Sequence, residues 1–262
     1  MPQSVSDAVE RFIAAAKNPT DEAVAALGKV LGEGATVITP FGRATGPEAI
    51  GELLRTPRLS RTLGAATWTT PQRDGQTVTV EAVVPPGGMV AAITSTVTLA
   101  DDQRLRGVVQ ELALAPPPDP QPLVLPPEVK AAVDGATANG TPIVVAYVDQ
   151  DGTPHLSLRG SVQAYGDDQL GLWIRDQAGG LLRAIPTNPA LALFYRDTSQ
   201  GATYQFTGRA RADDAAAFRA AIYAGQPEGE RNLDPNQRGV AVVVDLDRVE
   251  GTGPTGRFRL ER

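Results

Sequence analysis

Residues 115–127 read APPPDPQPLVLPP, and this stretch decides how the chain is organised. Each proline fixes φ and removes a backbone donor, so neither a helix nor a central strand runs through it. Such a segment is a semi-rigid spacer. The expected organisation is a domain over 1–115, a proline-rich linker over 116–127 and a second domain over 128–262; one long internal loop is the alternative. A chain of 262 residues is long enough for two domains of ordinary size.

Upstream of the prolines, Val5, Val9, Phe12, Ile13 and Ala16 recur at helical spacing, with Ser6 and Asp7 placed to start the helix. Thr20 or Asp21 opens a second helix expected to run to about Leu31, where Gly32 and Gly34 stop it. Residues 47–54 make a short third helix with Pro47 in its first turn. Strands are expected over 66–71, 76–84, 89–99 and 105–114, punctuated by Asp74-Gly75, Pro85-Pro86-Gly87-Gly88 and Asp101-Asp102. Helices followed by a meander of strands make an α+β domain.

Downstream, residues 127–139 are helical, and strands are expected over 142–148, 155–164, 170–175, 190–195, 203–212 and 240–249. Gly179-Gly180 opens a helix through Ile185, and Asp213 is placed to cap an Ala-rich helix ending near Gly225. Short strands with small helices between them suit a closed antiparallel barrel. Residues 226–238 are polar and turn-rich, and form either a disordered loop or a lid.

Composition narrows the function. The net charge is −6, from 30 acidic and 24 basic side chains with no basic run, which argues against a nucleic-acid partner. The absence of cysteine excludes disulfides, thiolate nucleophiles and Cys-based metal centres. One histidine, His155, does not make an ordinary zinc site, so no metal is expected. Its place just after a turn favours an exposed position. No apolar run approaches the roughly 20 residues of a membrane helix, and the N-terminus lacks a secretory pattern. The expectation is a cytoplasmic protein with no membrane partner. There is no phosphate-loop fingerprint and no G-x-G-x-x-G after a strand, and Ser157 and Ser161 lack the G-x-S-x-G elbow.

Three segments of the C-terminal half carry a family likeness: Asp151-Gly152-Thr153-Pro154-His155, residues 170–175 (LGLWIR) and residues 181–195 (LLRAIPTNPALALFY). In order and spacing they resemble the flavin- or deazaflavin-binding split β-barrels of the pyridoxamine 5'-phosphate oxidase type, over about 127–251. The resemblance implies a homodimer formed through the barrel, with the cofactor, FMN or a deazaflavin, in a groove between subunits. It implies second-strand contacts from Arg159, Gly160 and Ser161, third-strand contacts from Trp173, Ile174 and Arg175, and contacts at the strand-to-helix junction from Gly179, Gly180, Leu181 and Arg183. Guanidinium groups suit a phosphate, glycines admit close backbone approach, and Trp173 suits packing on a ring system. The family's basic residue or pair, eight or nine residues before the proline of N-P, falls here on Gly180 and Leu181. A different ligand or no cofactor therefore stays open.

The N-terminal half, over about 4–114, resembles the cone-shaped α+β fold of nuclear-transport-factor-like, polyketide-cyclase-like and SnoaL-like domains. Residues 35–40, Gly46-Pro47-Glu48-Ala49-Ile50 and the closing strand 105–114 carry the likeness. That half has no histidine; Glu81 and Glu111 are its inward ionisable candidates, and Arg43 and Trp68 are candidate pocket residues. Two functions follow from these resemblances. One is a flavin- or deazaflavin-dependent oxidoreductase acting on a small organic molecule by hydride transfer, with the chemistry supplied by the cofactor. The other is a non-catalytic split-barrel module that binds or sequesters a cofactor or hydrophobic small molecule. An isomerase or cyclase in the N-terminal cone is a third.

Overall fold

The computed structural model describes residues 6–262, so Val5 lies outside the described residues. The chain is α+β, with eight helices and two mostly antiparallel sheets among the described residues. It divides into two compact units that meet between Pro116 and Pro117.

In the first unit, α1 (Asp7–Lys17) starts at Ser6, whose hydroxyl accepts the Ala8 amide at 3.2 Å. Thr20 caps α2 (Asp21–Gly28) in the same way, accepting from Ala23. This helix ends earlier than its periodicity suggested, because Leu31–Thr39 is already β1. Gly34 takes φ +67 inside β1, where the register with its neighbour shifts. The glycines therefore make a bulge within a strand rather than a helix stop. After β2 (Gly42–Thr45) come α3 (Pro47–Arg55) and α4 (Pro57–Ala65). The sequence reading missed β2 and α4, although Pro57 at the first turn and Leu59 and Leu63 one turn apart mark the helix. The expected strand over 66–71 shrinks to β3 (Thr67–Trp68), followed by β4 (Gln72–Asp74). β5 (Thr77–Val83), β6 (Val90–Leu99) and β7 (Leu105–Leu114) complete a sheet ordered β2-β1-β7-β6-β5-β3, with β4 on β5. Only β1 and β7 run parallel. Phe12, Ile50, Leu54, Leu59 and Leu63 of the helices form one core with Val37, Val78, Ile93, Val97 and Val108 of the sheet.

The second unit begins with β8 (Gln121–Pro122) and α5 (Pro127–Gly135), then β9 (Ile143–Val148), β10 (Pro154–Arg159), β11 (Gln163–Tyr165) and β12 (Gln169–Ile174). Next come α6 (Gly180–Ala184), β13 (Ala190–Asp197), β14 (Ala202–Ala212), α7 (Ala216–Ala224), α8 (Glu228–Asn232), β15 (Val240–Gly253) and β16 (Gly256–Glu261). The expected strand over 155–164 is two strands broken at 160–162, and β16 was not anticipated. Asp213 does not cap α7; it accepts the Ala215 amide ahead of the helix and pairs with Arg211 at 2.6 Å.

The nine-stranded sheet runs β10-β9-β13-β14-β15-β12-β11, with β16 joining β15 to β8. Its edges, β10 and β11, are linked by Gly160, Ser161 and Val162 alone. A flat sheet would hold these edges about 29 Å apart, whereas so short a connection reaches only about 14 Å. The sheet must therefore curl on itself. The expected closed barrel is not formed, since no ladder joins β10 to β11; the chain leaves β10 at Gly160 before the two strands run side by side. A core including Val145, Leu172, Leu193, Phe206 and Val244 fills the curl.

Candidate functional site

Gly160 and Ser161 follow β10, Trp173 and Ile174 close β12, and Arg175 comes directly after it. Curling brings these two strand ends together: the Ser161 hydroxyl donates to the Trp173 carbonyl at 2.9 Å. Thr137, just after α5, donates to the Gly160 carbonyl at 2.9 Å. Five of the ten candidate residues thus share one locality.

That locality is already furnished. A methyl group at Gly160 would run into Oε1 of Glu230 on α8, and the other oxygen of Glu230 lies 3.8 Å from Arg175. The space between the second-strand glycine and the third-strand arginine of the candidate set is therefore occupied by this chain's own carboxylate. Trp173 is 2% exposed and offers no free ring face. Tyr223 meets it edge-on at 5.3 Å, the Arg219 guanidinium sits 5.0 Å from its ring centre, and its indole N–H donates to Asp234 Oδ2 at 3.0 Å. Trp173 belongs to a small core with Phe218, Ile222, Ala241 and Val243. Ile174 and Leu181 are buried core residues.

The segment expected as a disordered loop or lid is a built strap over this ground. Asp234 receives three donors, from Trp173, Arg238 and Gly239. Arg231 ties α8 back to the carbonyls of Ala224 and Gln226, and the Tyr223 hydroxyl donates to the Asp234 carbonyl at 3.1 Å. Burial pushes the Asp234 carboxyl up, but the Gly239 and Arg238 amides and the Trp173 indole outweigh it and hold it below the usual range.

Arg159 is only half committed. Its Nε donates to Ser157 at 3.2 Å, and its terminal nitrogens make no hydrogen bond among the described residues.

Two of the junction candidates line a small cavity. Gly179 precedes α6, and Gly180 opens it so close to Tyr147 that a methyl group there would strike the Tyr147 hydroxyl. Gly180 and Arg183 line a cavity of about 140 Å³ with Tyr147, Asp149, Gln150 and His155. The Arg183 guanidinium donates to the Ala178 carbonyl. His155 stacks on Tyr147 at 5.0 Å, with its Nε2 2.7 Å from Asp149. The hydrogen bond from His155 is the largest influence holding the Asp149 carboxyl below its ordinary value, followed by the Thr153 amide. An ionised carboxylate only accepts, so Nε2 carries the proton. Sequence reasoning treated His155 as a surface residue and missed this arrangement, although Asp149 and His155 flank a turn where a short hairpin brings them together.

In the first unit, Glu81 and Glu111 do not face inward. They flank Thr94 in register and alternate with the buried Ala82 and Gln110. The polar groups that do face the core are Ser95 and Gln110, joined by a 3.1 Å hydrogen bond with Gln110 Oε1 left unpartnered. Register with Val108 was the available signal. Arg43 is exposed, and Trp68 packs edge-on to Phe12 while donating to the Leu63 carbonyl.

Among the described residues, no group of three or more His, Asp or Glu side chains is placed to hold a metal, and no helix is long and apolar enough to cross a membrane. No family model matches the chain, and no curated protein matches it. Among solved structures, HupZ of Group A Streptococcus is 16% identical, with 51% of this chain and 98% of that one covered and a TM-score of 0.41. A Clostridium acetobutylicum protein related to general stress protein 26, of the pyridoxinephosphate oxidase family, is 11% identical over 52% and 96% of the chains, with a TM-score of 0.39. A SnoaL-like family protein from Agrobacterium tumefaciens is 20% identical over 40% and 94%, with a TM-score of 0.34. The structural neighbours thus include proteins of both kinds, at scores that fix no activity on this chain.

Proposed function

We propose that the second unit is a cytoplasmic, non-catalytic split-barrel module that binds a cofactor or hydrophobic small molecule without reading a phosphate. The observation that carries this is Glu230, whose two oxygens face Gly160 and Arg175. A carboxylate there disfavours a phosphate beside Gly160 and competes for Arg175. With Trp173 sealed as well, the residues carried over from the family do not fit a phosphorylated flavin.

The module acts as a homodimer. On β10 one face presents Leu156 and Leu158, 75% and 66% exposed. They stand in register with Ala146 and Val144, which in turn face Ala192 and Phe194 of β13. A second copy is the partner that the family resemblance supplies for this apolar face. Changing both leucines to Glu is expected to give a monomer by light scattering.

The function test compares FMN with riboflavin, which lacks the phosphate, by fluorescence quenching. The unaltered protein is expected to bind riboflavin at least as tightly as FMN. Glu230→Ala is expected to move the ratio towards FMN by about fivefold or more, the effect of removing roughly 1 kcal/mol of repulsion. A preference of about tenfold for FMN in the unaltered protein overturns the reading. The oxidoreductase reading would then take its place, favoured by the uncommitted nitrogens of Arg159 and tested by reduction of bound flavin with a nicotinamide donor.

A further inference from the structure

At the far end of β13 and β14, Tyr195 and Tyr204 face each other across the strands and stack at 5.5 Å with a 13° interplanar angle. They are 2% and 1% exposed. Tyr204 is seated by two glycines of β15. A Cβ at Gly251 would lie 2.8 Å from its ring and one at Gly253 would lie 2.9 Å from its hydroxyl. A buried tyrosine usually finds a partner for its hydroxyl. Neither of these does so among the described residues, and both line a cavity of about 480 Å³ with Glu128, Asn139 and Asp197.

Asp197 completes the chemistry. Its Oδ1 accepts the Ser199 amide at 2.8 Å, the Ser199 hydroxyl at 2.6 Å and the Gln200 amide at 3.2 Å, while Oδ2 accepts nothing among the described residues. The Ser199 hydroxyl chiefly, with those amides, holds the carboxyl below its usual range against a contribution from burial. Burial, then Glu128 and Tyr195, pushes the Tyr204 phenol up, so it keeps its proton. No Lys, Arg or His lines the cavity. The two rings are packed away, so its walls offer phenol hydroxyls and one uncommitted carboxylate oxygen, with a second carboxylate, exposed, at the rim and the small apolar side chains of Ala131, Ala132 and Pro254 beside them. A carboxylate oxygen beside neutral hydroxyls, with no cation in the lining, suits an N–H donor that carries positive charge.

We propose that this cavity is a binding site for a small organic ammonium ion, with its nitrogen on Asp197 Oδ2 beside the phenol hydroxyls and its carbon body against Ala131, Ala132 and Pro254. The cavity shares no lining residue with the Gly160–Glu230 locality, so the proposal does not depend on the function proposed above.

Calorimetric titration of the full chain at neutral pH with three ligands of one shape tests it: benzylamine as a cation, benzyl alcohol as a neutral and benzoate as an anion. Benzylamine is expected to bind saturably, benzyl alcohol about tenfold more weakly and benzoate more weakly still. Asp197→Asn keeps an oxygen for the turn and is expected to bring benzylamine down to the level of the alcohol. Should that variant melt early, Glu128→Gln at the exposed rim is expected to cost benzylamine about twofold, and the three-ligand order in the unaltered protein stands by itself. Equal or tighter binding of the alcohol or benzoate overturns the proposal. So does the absence of saturable benzylamine binding at millimolar concentration, or unchanged affinity in a folded Asp197→Asn variant.

Discussion

Removing the Asp234 side chain strands three donors at once. Oδ2 accepts the Gly239 amide at 2.8 Å and the Trp173 indole at 3.0 Å, both buried, and Oδ1 accepts the half-buried Arg238 amide at 3.0 Å. A stranded buried donor costs about 1–3 kcal/mol, while the Arg238 amide can turn to water. Asp234→Ala should therefore destabilise the second unit by about 3–4 kcal/mol. For a unit of this size that lowers the unfolding midpoint by about 6–16 °C. Asp234→Asn can keep its carbonyl on the two-donor side and should lose about 1–2 kcal/mol. The assay is thermal unfolding followed by Trp173 emission in a Trp68→Phe background, since these are the chain's two tryptophans. The acid limb offers a second readout. A carboxyl held below its ordinary value stabilises the fold above that ordinary value and loses the contribution as pH falls through the depressed one. Both variants should therefore flatten the loss of stability in acid. A midpoint within about 2 °C of the unaltered protein for Asp234→Ala would refute the view that this residue pins the strap.

Gly180→Ala should destabilise by about 1–2 kcal/mol through collision with the Tyr147 hydroxyl, and Tyr147→Phe should recover most of that loss in the double variant by urea unfolding. Replacing Gln110 by Met together with Ser95 by Ala removes a buried pair with one orphaned oxygen. The double variant should be at least as stable as the parent, and Gln110→Met alone less stable, because the Ser95 hydroxyl then loses the Gln110 amide. By carbon-detected NMR, Asp149 should titrate below an ordinary aspartate, and His155→Gln should move it upward.

The strand-and-helix outline was legible where a local rule operated. Ser6 and Thr20 cap as their types predict, and the β-branched run of β9 pairs as a strand. The failures came where a residue's meaning depended on distant chain. Gly32 and Gly34 signal a stop in isolation, but pairing with β7 turns them into a bulged strand. Glu81 and Glu111 were assigned to the wrong face because their register follows from Val78, Val80 and Ala82 being buried, a fact set by the helices above the sheet. At the candidate site, Gly160, Ser161, Trp173, Ile174 and Arg175 lie in one locality, yet its furnishing was not legible. Glu230 lies far along the chain, and nothing near it in sequence announces that its carboxylate reaches Gly160. Likewise the Tyr195–Tyr204 pair is ordinary strand composition until the two glycines of β15 are seen beneath it.

Both units fasten their first strand to their last. β1 lies parallel to β7, and β8 lies parallel to β16. For a chain made from its N-terminus, this has a consequence for the order of events during synthesis. β1 has only its hairpin with β2 until residues 105–114 have emerged, and β8 has no partner until residues 256–261 are made. Neither sheet can be completed progressively behind the growing end; each closes in a late, non-local step, which slows folding and leaves strand edges open in the meantime.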